Sequence, residues 1–295
     1  MAGKTDRTSK TAANTTERPD LTGCIQVATW NVNSIRMRWE ALCTWLHAHR
    51  PDVLCLQEIK LQDPDFAKLD FAALGYHGVA HGQKTYNGVA VLCRKEHGPV
   101  CDVSHGMNDG DPDTEARLLT AHIPSLNVCV ASVYVPNGQA VGTDKYEYKL
   151  RWLRRLADWL HRKRTPPQGL LLCGDYNVAP ADSDVYDPAL WQDTVICHST
   201  ARQALAAVMD LGFADTLRQA QPTAQLFTFW DYRGLSFPKN HGLRIDHILA
   251  STDWASRCRW AEVDRQARKG DKPSDHAPVI AWFSPAQSIH NSPAG

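Results

Sequence analysis

The sequence predicts an α/β fold, built as one large domain. From Cys24 onward, short runs rich in β-branched and aliphatic residues alternate with longer segments that have a helical period, and this alternation is typical of α/β proteins. Hydrophobic residues make up 43% of the 295-residue chain, which is enough for one sizeable core. No unit of roughly 20 to 50 residues recurs along the chain, so a solenoid or a propeller is not expected.

The predicted strands are short apolar runs. Several of them are apolar on both faces, which is typical of strands buried within a sheet. In chain order they are CIQVATW from Cys24, DVLCLQ from Asp52, GVAVLC from Gly88, LLTAHI from Leu118, VCVASVYV from Val128, LLLCGD from Leu170, RIDHIL from Arg244 and PVIAWF from Pro278. The chain has nine cysteines without CxxC spacing, and several lie inside these runs, which indicates small buried residues in a reducing compartment.

Helices are predicted where apolar residues recur at every third or fourth position. The sets are Trp39, Leu42, Cys43 and Leu46, then Trp152, Leu153, Leu156, Trp159 and Leu160, and finally Leu205, Val208 and Met209. Such a stripe is the face with which a helix packs on a core. We therefore interpret these residues as structural and not as a cofactor site.

The two ends of the chain are predicted to lie outside the domain. Residues 1–22 are rich in Thr, Ala, Ser and Lys without an apolar period, so we expect a disordered tail, a domain over 23–284 and a C-terminal tail over 285–295. No apolar stretch approaches the roughly 20 residues of a membrane span, and no secretion signal is recognised, so a cytoplasmic protein is expected. Basic and acidic residues balance at 32 each, so contact with a polyanion would need a local basic patch.

Polar side chains follow several predicted strands at the point where the strand ends. They are Asn31, Glu58, Asp175 and Asn177. Ligand sites of α/β proteins gather at strand ends. The carboxylate of Glu58 would be costly to ionise there without a cation, which favours a divalent metal, although an ion pair with Lys60 is the alternative. Asp175 and Asn177 could hold a water against a phosphate, unless GDYN is an ordinary turn.

Two further segments carry candidate groups. KPSDHAP places Asp275 and His276 on adjacent positions of extended chain, so one could face a metal while the other faces a phosphate. Asp246 could orient His276 as an imidazolium, whereas a histidine bonded within the core is the alternative. Tyr134 ends a strand before VPNG, and its phenol could donate to a phosphate oxygen or simply meet water.

The segment FTFWDYR sets aromatic residues beside cations. Phe229 and Trp230 precede Arg233, and Arg244 follows closely. Aromatic groups next to cations suit a pocket for a sugar or base flanked by phosphate contacts. Packing in the core explains the same aromatic residues without any ligand.

Taken in order, several of these motifs resemble the exonuclease III / AP endonuclease family of the endonuclease/exonuclease/phosphatase superfamily. They are WNVNSIR, LQEIK, YVPNG, GDYNVAP, FTFWDYRG, LRIDHILAS and KPSDHAP, within residues 24–283. The resemblance implies a four-layered α/β sandwich with two packed mixed β-sheets flanked by helices. It also implies Mg²⁺-dependent hydrolysis, with Mn²⁺ as a substitute, of the DNA phosphodiester 5′ to abasic sites, together with 3′–5′ exonuclease and 3′-phosphatase or 3′-phosphodiesterase activity. The implied partner is double-stranded DNA with abasic sites or damaged 3′ ends, bound by a monomer.

The resemblance also implies roles at the metal and the attacking water. Glu58 would be the principal Mg²⁺ ligand, Asn31 would lie beside it, and Asp275 would be a further metal contact. Asp175 would orient or deprotonate the attacking water. Asn177 would hold that water in place.

Further implied roles concern the phosphate. His276, paired with Asp246, would bind the scissile phosphate, while Tyr134 and Asn137 would support the transition state. The loop after Asn137 has no arginine where some members of the family insert one into the duplex, so the resemblance does not say how the duplex is opened.

The remaining implied contacts are with the sugar and the DNA backbone. Phe229 and Trp230 would form the pocket for the flipped abasic sugar. Because the net charge is zero, the DNA backbone should meet a local basic patch. The candidate patch residues are Arg36, Lys60, Lys84, Arg233 and Arg244.

Other members of the superfamily are the alternatives. Secreted DNases, sphingomyelinases and inositol polyphosphate phosphatases resemble this chain at the Asn, Glu, GDxN and SDH positions. The expected absence of a secretion signal counts against the secreted members, and FWDYR with LRIDHILAS counts against the lipid-directed ones. A DNA-binding module without catalysis should lack an acid or an amide of the site, and here all of them are present.

Overall fold

The structure is a computed structural model and describes residues 17–111, 114–163 and 169–286. Within these residues the chain forms two mixed six-stranded β-sheets. The strands are β1 (Ile25–Asn31), β2 (Val53–Gln57), β3 (Tyr76–His81), β4 (Val89–Arg94), β5 (Cys101–His105), β6 (Leu118–Ile123), β7 (Val128–Tyr134), β8 (Leu170–Asp175), β9 (Phe213–Asp215), β10 (Asp246–Ser251), β11 (Cys258–Val263) and β12 (Val279–Phe283).

Helices connect the strands. They are α1 (Trp39–His49), α2 (Asp63–Phe66), α3 (Asp144–Lys163), α4 (Pro188–Trp191), α5 (Ser199–Met209), α6 (Thr216–Ala220), α7 (Ser236–Lys239) and α8 (Thr252–Arg257). The longest, α3, buries the predicted stripe from Trp152 to Leu160 against the second sheet. None of the helices in the described ranges is both long and apolar enough to cross a membrane.

The order of the strands places one end of each sheet at the same edge of the molecule. The first sheet runs β11-β12-β1-β2-β4-β3, with β1 parallel to β2 and antiparallel to β12. The second runs β5-β6-β7-β8-β10-β9, with β7 parallel to β8 and antiparallel pairing between β8 and β10. The ends of β1, β2, β7 and β8 therefore meet the starts of β10 and β12.

Three apolar layers hold the fold together. The inner layer lies between the sheets and includes Val53, Cys55 and Cys173. One outer layer packs α1 on the first sheet, and the other packs α3 and α5 on the second. This arrangement confirms the four-layered α/β sandwich implied by the resemblance, and the predicted strands and the three predicted helices are all present.

The ends of the described chain bear on the predicted tails. Residues 1–16 and 287–295 lie outside the described residues. The guanidinium of Arg18 lies 4.7 Å from the ring centroid of Trp282, and Leu21 packs against the outer layer of the first sheet. These two residues therefore pack with the domain, before the predicted boundary at residue 23. None of the nine cysteines, which all lie within the described residues, forms a disulfide.

Candidate active site

Four strand ends bring the predicted polar residues together. The side-chain amide of Asn31 donates from Nδ2 to Oε1 of Glu58 at 2.9 Å and to Oδ2 of Asp175 at 3.0 Å. The hydroxyl of Tyr134 donates to the same Glu58 oxygen at 2.9 Å. Asn31 ends β1 and Glu58 follows β2 in the first sheet, while Tyr134 and Asp175 end β7 and β8 in the second. These bonds therefore join the two sheets at the edge where the site lies.

Glu58 presents a charged carboxylate at this edge. It follows β2 with a φ of 49°, a left-handed backbone conformation that costs energy for a residue with a side chain. Burial would raise the pKa of Glu58, but the charge of Lys60, whose Nζ lies 3.0 Å from Oε2, and the hydrogen bond from Asn31 together hold it below its ordinary value. Glu58 is therefore ionised at neutral pH.

The GDYN segment places a buried acid beside an amide. At Gly174 an added Cβ would lie 1.8 Å from the carbonyl oxygen of Val133, so only glycine fits where β8 approaches β7. Oδ1 of Asp175 accepts from the backbone N–H of Asn177 at 2.9 Å. Burial raises the pKa of Asp175, the charge of His276 opposes this rise, and the neighbouring carboxylate of Asp246 adds to it. Asp175 is therefore a stronger proton acceptor than an exposed carboxylate.

His276 lies between two carboxylates. Its Nδ1 donates to Asp246 Oδ2 at 2.9 Å, and its Nε2 lies 3.8 Å from Asp175 Oδ2. Burial would lower the pKa of His276, but the charges of Asp246 and Asp175 raise it above its ordinary value. The ring is therefore an imidazolium at neutral pH. Ser274, which the sequence did not single out, anchors this loop by donating to the carbonyl of Asn31 at 2.7 Å.

Four of the five groups predicted to take part in catalysis line one cleft of about 1030 Å³, while Asp246 is buried and bonds to His276. The polar lining of the cleft includes Glu58, Tyr134, Asn137, Asp175, Asn177, Asp275 and His276. Nδ2 of Asn137 donates to Oδ1 of Asn177 at 3.1 Å, so the two amides form a pair. The same cleft has apolar lining residues, which include Phe229, Leu243 and Ile245. A cleft lined by both polar and apolar groups can hold a charged group and a neutral ring at once.

Of the two residues predicted for the aromatic pocket, Phe229 lines the cleft, whereas Trp230 does not, so the prediction for Trp230 is wrong. The ring of Phe229 lies 5.0 Å from that of His276, whereas Trp230 is fully buried and packs against Phe227 and Phe237. Neighbouring side chains on extended backbone point to opposite sides, so only one of the pair can face the cleft. The sequence analysis missed Leu243, which pairs with Phe229 across an isolated β-bridge.

The predicted DNA contact at Arg244 is also wrong. Arg244 is 1% exposed, and its guanidinium bonds to the carboxylates of Asp184 and Asp215, the former at 2.7 Å. Its donors are used inside the domain, and no phosphate could reach them. The sequence placed it close to the aromatic segment, but its burial depends on two acids that are distant along the chain.

Removing this guanidinium should destabilise the fold. We expect Arg244→Met to lower the free energy of unfolding by about 3–5 kcal/mol, because two buried carboxylates would each lose a charged partner. Urea denaturation followed by circular dichroism would measure the change. The matched control is Arg233→Met, since the Arg233 side chain is 90% exposed in its pair with Asp231, and it should unfold at the same urea concentration as the wild type. Equal midpoints for both variants would contradict the structural role of Arg244.

The remaining basic residues lie at the surface or at the rim of the site. Arg36 bonds to Asp65 at 2.9 Å and is exposed, Lys84 is exposed, and Arg233 lines the cleft. Lys60 donates to Asn33 at 2.6 Å as well as lying against Glu58. These positions are compatible with phosphate contacts from Arg36, Lys84 and Arg233, while Lys60 serves the site itself.

The donor set fits a hard divalent cation. Glu58 and Asp275 present carboxylates to the cleft. Ligand atoms of Asp175, Asp246 and His276 also lie within 4.8 Å of one another, but this second group would bind a cation only with His276 neutral, because an imidazolium has no lone pair to offer. Carboxylate oxygens are the ligands that Mg²⁺ and Mn²⁺ prefer. Oδ1 of Asn31 accepts from the backbone N–H of Asn33 at 3.0 Å. The nitrogen of the same amide holds the carboxylates of Glu58 and Asp175.

Comparisons with known proteins agree with this geometry. Residues 28–276 match the model of the endonuclease/exonuclease/phosphatase family. The chain is 33% identical over 264 residues to exodeoxyribonuclease III of Haemophilus influenzae, an alignment that covers 86% of this chain and 98% of that protein. Among solved structures, an AP endonuclease from Archaeoglobus fulgidus is 40% identical with a TM-score of 0.83, covering 88% of this chain and 99% of its own. A 3′ phosphatase from Neisseria bound to a product DNA hairpin is 40% identical with a TM-score of 0.82 and the same coverage.

Proposed function

Because the chain belongs to the endonuclease/exonuclease/phosphatase family, we propose that it is a DNA-repair nuclease of the exonuclease III / AP endonuclease type. It hydrolyses the phosphodiester 5′ to abasic sites and also acts on 3′ ends as an exonuclease and 3′-phosphatase or 3′-phosphodiesterase. The observation that carries this proposal is the cleft that ionised Glu58, the Asp175–Asn177 pair and the His276 imidazolium line together with apolar residues. We also propose that the enzyme acts as a monomer in the cytoplasm, on double-stranded DNA with abasic sites or damaged 3′ ends.

Asp175 and Asn177 prepare the attacking water. The raised pKa of Asp175 makes it able to take a proton from a water molecule at neutral pH. The amide of Asn177 is fixed by bonds to the Val135 carbonyl at 3.0 Å and to Asn137, so its orientation is set before substrate binds. A water held between these groups is positioned for attack on phosphorus from the side opposite the leaving oxygen.

His276 and Tyr134 stabilise the phosphate. The imidazolium of His276 uses Nδ1 for Asp246 and keeps Nε2 for a phosphate oxygen, where charge builds up in the transition state. Burial and the charges of Glu58 and Asp175 raise the pKa of Tyr134 well above its ordinary value, so the phenol stays protonated. Its single O–H donates to Glu58 here and would turn to the phosphate when the substrate binds. Mg²⁺, or Mn²⁺ in its place, held by Glu58 and Asp275 would neutralise the charge of the phosphate and of the leaving oxygen.

The apolar lining of the cleft suits a sugar that has lost its base. Phe229, Leu243 and Ile245 offer no hydrogen-bonding side-chain groups, so a flipped deoxyribose gains contact there while a polar base edge would lose its partners. This supports selection of abasic sites. Arg36, Lys84 and Arg233 are proposed to meet the DNA backbone.

The proposal is tested by cleavage of a duplex that carries one synthetic abasic site. With Mg²⁺ the wild-type enzyme should nick the strand 5′ to the site and leave a 3′-hydroxyl and a 5′-phosphate, while the same duplex with an intact base stays uncut. Recessed and 3′-phosphate ends measured in parallel give the balance among the activities. Absence of cleavage with both Mg²⁺ and Mn²⁺, or cleavage of a sphingolipid or an inositol phosphate instead, would overturn the proposal.

A further inference from the structure

One lysine is buried without any carboxylate among its hydrogen-bond partners. Lys149 lies on α3 and is 0% exposed. Its Nζ donates to the backbone carbonyls of Asn177 and Val195 at 2.6 Å each and to that of Asn137 at 3.2 Å. An ammonium has three N–H donors, so these carbonyls use all of them.

The three carbonyls belong to separate segments that line the cleft. Asn137 follows β7, Asn177 follows β8, and Val195 precedes α5, and all three residues border the cleft. The first two carry the amide pair, whose nitrogen and oxygen are 3.1 Å apart. A single side chain behind the cleft therefore ties together the backbones that carry both amides.

The loop around Asn137 also packs directly on the stem of this lysine. Gly138 has a φ of 94°, and an added Cβ there would lie 3.0 Å from Cδ of Lys149 and 3.2 Å from the ring of Tyr146. Asn177 has a φ of 50°, so both loops turn through left-handed backbone next to the lysine. Such conformations persist only where the surroundings hold them.

A buried ammonium is a costly way to fill this position. Burial lowers the pKa of Lys149 to about 7, and the negative charge of Asp175 opposes the change only in part, while the three carbonyl acceptors favour the protonated form. Its helix neighbours on the buried face, such as Leu153 and Leu156, are apolar. An apolar residue would fill the space at lower cost but would leave three carbonyls without donors.

We propose that Lys149 is a positioning residue for phosphodiester cleavage, which fixes the backbones of Asn137 and Asn177 so that their side-chain amides stand at the right separation. The inference rests on the proposed function for the reaction itself. Its physical basis is that an error of about 1 Å in the position of a group that holds a reactant can cost about 100-fold in rate.

The test compares Lys149→Met with the control Leu156→Ala, a buried residue two turns further along the same helix and outside the cleft. Single-turnover cleavage of the abasic duplex should fall about 100-fold in Lys149→Met while the dissociation constant for DNA changes less than about threefold. Leu156→Ala should lower the melting temperature and keep the wild-type cleavage rate. Hydrogen exchange should accelerate at residues 137–139 and 176–178 in Lys149→Met only.

The outcomes separate this inference from the proposed function. If the wild-type enzyme fails to cleave, the proposed function is overturned. The hydrogen-exchange measurement still tests whether Lys149 fixes the backbones around Asn137 and Asn177. Lys149→Met that folds, cleaves within about threefold of the wild type and exchanges normally overturns the positioning role. If Lys149→Met does not fold, Lys149→Gln, which keeps a shorter donor, is measured in the same way, and an unchanged rate with unchanged exchange is again the contrary result.

Discussion

Asp175→Asn should lower the rate of abasic-site cleavage by about 10³- to 10⁴-fold in a protein that remains folded. The carboxylate of Asp175 accepts hydrogen bonds both from Asn31 and from the backbone N–H of Asn177. Burial raises its pKa, the charge of His276 opposes that rise, and the charge of Asp246 adds to it. An asparagine has the same shape but cannot take a proton from water. Single-turnover cleavage at saturating enzyme would measure the loss.

The matched control for this change is Asp158→Asn, because Asp158 is exposed on α3 and does not line the cleft. It should cleave at the wild-type rate. Loss of activity in Asp175→Asn should be accompanied by normal DNA binding, since the substitution removes negative charge from the site. If Asp175→Asn kept more than about a tenth of the wild-type rate, the proton would have to go to another group, and the assignment of Asp175 as the base would be wrong.

The central strands of both sheets could be predicted from the sequence, whereas the edge strands and the short helices could not. Every strand that the apolar runs predicted is present, and the strands that were not predicted are β3, β5, β9 and β11. These four are the edge strands of the two sheets. An edge strand pairs with one neighbour only and is partly exposed to water. It therefore carries histidines, charged residues or glycine, as in YHGVAH and CDVSH, and it lacks the continuous apolar run of a central strand. The short helices were missed because they are shorter than the window in which a helical period can be seen.

The site residues could be predicted where a polar side chain stands at the end of an apolar strand. Glu58 and Asp175 each follow an apolar run directly, and the parallel pairs β1–β2 and β7–β8 bring such positions to one edge. Arg244 and Trp230 were misassigned because proximity along the chain does not say which face of the backbone a side chain takes. Leu243 could have been found from the same alternation, since it stands two positions before Ile245 and both line the cleft.

Lys149 could not have been found from the sequence. In KYEYKLRWLRRL it is one of many basic residues on an amphipathic helix, and the usual place of a lysine there is in water. What distinguishes it is a set of three backbone carbonyls, and backbone acceptors carry no signature in the residue letters. Burial of a charge against main chain is visible only in three dimensions.

Glu58→Gln should raise the concentration of Mg²⁺ needed for half-maximal cleavage by at least about 10- to 100-fold. Glu58 is ionised because the charge of Lys60 and the bond from Asn31 outweigh the effect of burial on its pKa, and a charged oxygen is the ligand that a hard cation requires. Glutamine would keep the bond from Tyr134 but would turn a neutral amide towards Lys60. A Mg²⁺ titration of the cleavage rate, after removal of metal by a chelator, measures the shift.

Electron paramagnetic resonance can measure Mn²⁺ binding to the protein in the absence of DNA. This measurement distinguishes weaker binding of the metal from a slower cleavage step. The wild type and the control Glu147→Gln, an exposed acid at the start of α3, should bind equally, whereas Glu58→Gln should bind at least about tenfold more weakly. If Glu58→Gln bound Mn²⁺ as the wild type does and needed no extra Mg²⁺, the cation would have to lie at the Asp175, Asp246 and His276 group, whose atoms are within 4.8 Å of one another. In that case His276 would have to be neutral to bind the cation, and the imidazolium that the two carboxylates favour could not serve the phosphate.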